Sequence, residues 1–124
     1  MPFKERRKFP RVEKSLPCRV VIGAKTYPTQ THNLGCGGAL CQLAEAIVPL
    51  TKLDVTIQLP PTDRGLSPQL IHCIGVVVRQ EPPIAHGPPL YPTAIYFLEL
   101  KPKDRQRIAG FVLQSMFAHD RRRP

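Results

Sequence analysis

The chain has 124 residues, 42% of them hydrophobic, which bounds it to one domain with a single modest core and excludes a disordered protein. Its 18 Lys and Arg against 9 Asp and Glu give a formal charge of +9, which favours anionic partners: nucleotides, nucleic acid, acidic protein surfaces or anionic lipid. Trp is absent and aromatic residues make up only 6%, which disfavours a stacking platform for single-stranded nucleic acid.

The charged N-terminus is followed by no long apolar stretch, so neither a signal peptide nor a spanning segment is expected, and a cytoplasmic location follows. Within it stands Arg6-Arg7-Lys8-Phe9-Pro10-Arg11, an RxxxR arrangement. Pro10 turns Phe9 away from helical dihedrals, so residues 1–11 are expected to form an extended, flexible arm. In an extended chain Arg7 and Arg11 fall on one side, with Cα atoms up to about 13 Å apart. Guanidinium groups so placed can grip guanine O6 and N7, clamp a phosphate or stack on a base. The same residues also read as a solvated basic tail.

Leu16–Ile22 is the first expected strand, closed by Gly23-Ala24 as a two-residue type II′ turn. Lys25–His32 returns, with Pro28 marking an edge or a bulge. Then comes Asn33-Leu34-Gly35-Cys36-Gly37-Gly38. Its glycines suit either a nest of backbone N–H groups for an anion or a tight turn needing positive φ. It is not a dinucleotide fingerprint, because a strand (Ala39–Leu43) rather than a helix should follow.

Leu53–Leu59 alternates apolar and polar side chains without a break, the pattern of a half-buried strand. Leu70–Arg79 is more continuously apolar and reads as a central strand covered on both faces. Tyr91–Leu100 supplies a sixth strand, and prolines at 49, 60, 61, 68, 82, 83, 88 and 89 punctuate the gaps. The period then changes. Pro102 suits a first helical turn, Asp104 its positive end, and Ile108, Phe111, Val112 and Met116 repeat at helical spacing over 102–119. The expected fold is mainly β: a six-stranded antiparallel barrel over 12–100 with a C-terminal α-helix, all in one domain, 1–124.

Cys18, Cys36, Cys41 and Cys73 lack paired metal-ligand spacing and are expected as free, buried thiols. His32, His72, His86 and His119 do not cluster, and no nucleophile–base arrangement stands out. A binding module is therefore expected rather than an enzyme, with neither catalytic residues nor a metal or cofactor. Arg79 either adds positive potential at a ligand site or pairs with a carboxylate.

An RxxxR arm followed by NxGxxG on such a chain resembles the PilZ domain family, bacterial receptors for cyclic di-GMP. That family has RxxxR and (D/N)xSxxG on a six-stranded barrel with a terminal helix. Arg7 and Arg11 match the two arginines, with Arg6 extending the pattern, and Asn33 and Gly38 match the ends of the second motif. Gly75–Arg79 and Ala94–Phe97 also look like later strands of the family. The resemblance implies that Arg7 and Arg11 clamp guanine and phosphate groups, that Asn33 bonds a guanine edge, and that Gly38 allows close approach. It further implies that cyclic di-GMP orders the arm and that the signal passes to an unidentified downstream protein, with no membrane insertion.

One position departs from the pattern. Gly35 stands where the family has serine. A neutral hydrogen bond is worth about 1 kcal/mol, so its loss implies roughly fivefold weaker binding, restored by Gly35→Ser. The same departure favours an alternative, a PilZ-fold adaptor that binds protein but no cyclic di-GMP. A small basic barrel binding nucleic acid is the third reading, disfavoured by the scarcity of rings.

Overall fold

The computed structural model describes residues 10–61, 67–83 and 86–121. Its elements are β1 (Arg11–Val12), β2 (Pro17–Ile22), β3 (Lys25–Gly35), β4 (Gly38–Leu43), β5 (Lys52–Leu59), β6 (Gln69–Gln80), β7 (Tyr91–Glu99) and α1 (Pro102–Arg121). Six strands close an antiparallel barrel in the order β3-β2-β5-β6-β7-β4, with β4 returning to β3. β1 lies outside that ring. Leu34 pairs with Val12 on one edge and Ala39 on the other, so β1 follows the edge of β3 that β2 uses further along.

Strand periodicity builds the core. The alternation in β5 turns Leu53, Val55, Ile57 and Leu59 inward, where Val20, Leu43, Ile71, Val77 and Ile95 meet them. All four cysteines are free and buried, and burial first, then the charge of Asp104, pushes the Cys73 thiol up to about 12. β6 differs from expectation. Ile71, Cys73 and Val77 are buried but His72 and Val78 are exposed, so its apolar run is not covered on both faces. Its neighbours are antiparallel strands, which need no crossover helix, and His72 and Val78 on its outer side face solvent.

The β2–β3 hairpin has Gly23 at φ 60°, with Ala24 outside the left-handed region, as a type II′ turn requires. That turn fixes the hydrogen-bond phase. Lys25, Tyr27 and Thr29 face β2, so the backbone groups of Thr26, Pro28 and Gln30 face the other way. On that side β3 meets β4 only over Thr31–Leu34, leaving the barrel seam open along Lys25–Gln30. Pro28 has no N–H to present there, which blunts the exposed edge. Pro28 is thus an edge marker, one of the two expected roles.

Side chains span the open seam. Thr29 Oγ1 donates to the Gln42 carbonyl at 2.6 Å, the Lys25 ammonium lies 3.1 Å from Glu45 Oε2, and the Tyr27 hydroxyl donates to Glu45 Oε1. The Tyr27 bond, then Lys25, holds the Glu45 carboxyl below the usual carboxylate range.

α1 begins at Pro102 as the sequence implies, and its contacts within the fold include β1 and β3. Ile108 and Val112 are buried and Phe111 half-buried. Met116, expected on the same inward stripe, is 45% exposed beside exposed Leu113 and Phe117. Val112 is the last fully buried side chain among the described residues of α1, and in the following turn the barrel leaves Met116 uncovered. No helix among the described residues is long and apolar enough to cross a membrane.

Candidate functional site

The two sequence motifs meet at one edge of the barrel. β1 places Arg11 opposite Gly35, and the Arg11 guanidinium Nη1 donates to Asn33 Oδ1 at 3.4 Å. Arg6 and Arg7 lie outside the described residues. Asn33 sits within β3 rather than at the close of a shorter strand.

A bulge sets the direction of Asn33. The β3–β4 register slips between Thr31, opposite Cys41, and Asn33, opposite Leu40. In an unbroken strand residues 31 and 33 would share a face. The extra residue, His32, breaks that phase. Thr31 and Leu34 are buried, while Asn33 is half-buried and engages Arg11.

Gly35 and Gly38 act through space rather than through unusual dihedrals. Positive φ among the described glycines occurs at Gly23 and Gly87, so the nest and the tight-turn expectations for Gly35–Gly38 both give way to close approach. A Cβ on Gly35 would lie 2.7 Å from the Pro10 carbonyl oxygen and 2.8 Å from Arg11 Cγ. On Gly38 it would lie 2.1 Å from the Ile95 carbonyl oxygen. Gly38 thus lets β4 seat against β7. Cys36, between them, donates its thiol to the Arg105 carbonyl at 3.5 Å and ties the turn to α1. Burial raises the Cys36 pKa, opposed by the nearby Arg105 charge.

Beyond Gly38 the outer surface continues as a register row. Gly38 is opposite Tyr96, Tyr96 opposite Val76, and Val76 opposite Lys52. Four strands at about 4.8 Å spacing make this row roughly 14 Å long. Tyr96 is 53% exposed and presents a ring beside the glycine turn. In the sequence alone it is one of several scattered aromatics. The signal that singles it out is the β7 alternation, where Thr93, Ile95 and Phe97 are buried and Tyr96 and Leu98 are not. Outward Asp54 and Glu99, both opposite Ile74, bound the row with negative charge.

Arg79 is placed away from this cluster in its interactions: its Nε lies 2.8 Å from Glu81 Oε2, the carboxylate-pairing alternative. A cleft of about 730 Å³ opens along the seam, lined by Tyr27, Thr29, Gln30, His32 and Gln42 among others, and includes neither Arg11 nor Asn33. Among the described residues no three His, Cys, Asp or Glu side chains cluster as a metal site.

The PilZ domain family profile matches residues 5–114, a span that includes both motifs and every strand. The chain belongs to the PilZ domain family. A comparison with curated protein sequences gives no match. Among solved structures, the Bacillus subtilis inhibitor of motility MotI/DgrA is similar at a TM-score of 0.77 and 18% identity, covering 93% of this chain and 53% of that one. The PilZ domain of YcgR from Escherichia coli, solved with c-di-GMP, gives 0.68 and 12%, covering 94% and 97%. MrkH of K. pneumonia in its apo state gives 0.73 and 16%, covering 98% and 55%. This PilZ chain therefore spans about half the length of the MotI and MrkH chains. At these identities the likeness establishes the PilZ fold.

Proposed function

We propose that this PilZ domain is a cyclic di-GMP receptor that passes the signal to a downstream protein, a binding module with no catalytic step. The observation that carries the reading is the meeting of Arg11 and Asn33, 22 residues apart and one from each motif, at one half-buried edge of the barrel. Guanidinium N–H groups supply donors for phosphate and for guanine O6 and N7, and the Asn33 amide supplies a donor and an acceptor for a base edge. Arg6 and Arg7 would add charge from the arm, Gly35 and Gly38 let β1 and β7 pack closely around the turn, and Tyr96 offers a ring face for a guanine. The ligand's two phosphates suit a protein of charge +9.

The relay has a physical route. α1 contacts both β1 and β3, so a ligand that grips Arg11 acts on strands that α1 touches. Exposed Leu113, Met116 and Phe117, in the turn of α1 after the last buried side chain, are suited to a protein partner.

Calorimetric titration of the full chain with cyclic di-GMP tests the receptor. Saturable heat with amide shifts at Arg11 and Asn33 is expected; no heat and no shifts at high ligand concentration would sink the reading. The second reading, an adaptor without ligand, is favoured by one observation: Arg11 and Asn33 already engage each other. It predicts a silent titration and partner binding indifferent to Arg11.

A further inference from the structure

We propose that Gly35 positions β1: by lacking a Cβ it lets Pro10 and Arg11 lie directly on the second motif and holds Arg11 beside Asn33 before any ligand arrives. The inference deepens the receptor reading and rests on it for its binding consequence only.

The three atoms nearest a Cβ at position 35 all belong to the arm: Pro10 O at 2.7 Å, Arg11 Cγ at 2.8 Å and Arg11 Cα at 3.6 Å. No barrel atom outside the immediate chain neighbours comes as close. The nearest of the three is a backbone oxygen, which no side-chain rotation can move aside. Any larger residue therefore lifts Pro10 and Arg11 away from β3. β1 pairs with β3 only through Arg11↔Gly35 and Val12↔Leu34, so a shift at the first pair disturbs half of the attachment. The contact from Arg11 to Asn33 is already long at 3.4 Å, and moving Arg11 away from β3 weakens it further.

The departure from the family serine thus has a second meaning. What the chain gives up in a hydroxyl it recovers in a pre-placed arginine, because fixing Arg11 before binding removes that ordering cost from the ligand. Serine at this position is expected to weaken binding, the reverse of what its hydroxyl alone implies.

The test uses full-length Gly35→Ala and Gly35→Ser with two readouts. In ligand-free protein, heteronuclear NOE values of the Arg11 and Val12 amides should match those of β3 in the wild type and fall in both variants, while the barrel amides keep their dispersion. In titrations with cyclic di-GMP both variants should bind about five- to thirtyfold more weakly, the cost of fixing about one residue's backbone. Serine should do no better than alanine. A serine variant that binds more tightly than wild type overturns the proposal, as does a variant with unchanged NOE values. Loss of barrel dispersion also overturns it, since the crowded atoms belong to the arm alone. If the wild type does not bind, the receptor reading fails, and the NOE comparison still decides the role of Gly35.

Discussion

At the scale of single residues, three positions separate ligand chemistry from architecture. Arg11 is the described cation that joins the two motifs, and charged hydrogen bonds are worth about 1.5–3 kcal/mol each. Arg11→Ala should therefore weaken cyclic di-GMP binding by at least about tenfold in calorimetry while leaving the thermal midpoint nearly unchanged. Gly38 is architectural. Its added Cβ would fall 2.1 Å from the Ile95 carbonyl oxygen, so Gly38→Ala should lose about 1–3 kcal/mol in urea unfolding, the range for overpacked sites. Gly110 gives the opposite sign. It lies inside α1, where an added Cβ would meet nothing within 4 Å, so Gly110→Ala should gain about 0.5–1 kcal/mol in the same assay.

At the scale of elements, the β3–β4 seam is held by side chains where the ladder stops. Glu45 accepts from Tyr27 and Lys25, and both contacts lower its pKa. A carboxyl lowered on folding stabilises above its ordinary range, and that contribution is lost as pH falls through the depressed value. Tyr27 and Lys25 are raised, each chiefly by its bond to Glu45, so their share persists until pH climbs through those raised values. Urea unfolding should thus show Glu45→Gln less stable than wild type at neutral pH, with the difference closing in acid; a constant difference would deny the carboxylate this role. The elements also show how much is legible in the sequence. The alternation in β5, the Gly23 turn and the start of α1 depend on neighbours a few residues away, and each can be read directly. The bulge at His32, the outward ring of Tyr96 and the crowding at Gly35 and Gly38 depend on strands brought together from distant sequence. Motif spacing finds Arg11 and Asn33, but only the register explains why they touch. Met116 departs from expectation because helical period alone cannot say where the surface beneath a helix ends.

At the scale of the whole molecule, the fold is a closed ring with one weak join and one strand laid on its outside. The arm strand, the glycine turn and α1 adjoin one another, with Cys36 bonded to the Arg105 carbonyl between turn and helix. The proposed ligand site and partner surface therefore have a route of communication that needs no change in the barrel itself. The open seam, in contrast, lies along the hairpin half of β3, and its effect is measurable amide by amide. Tyr27 and Thr29 are bonded inward to β2, whereas the N–H groups of Thr26 and Gln30 face the gap. Hydrogen–deuterium exchange should consequently run fast and slow at alternate residues along this one strand, a two-residue stripe that a fully laddered barrel would not produce.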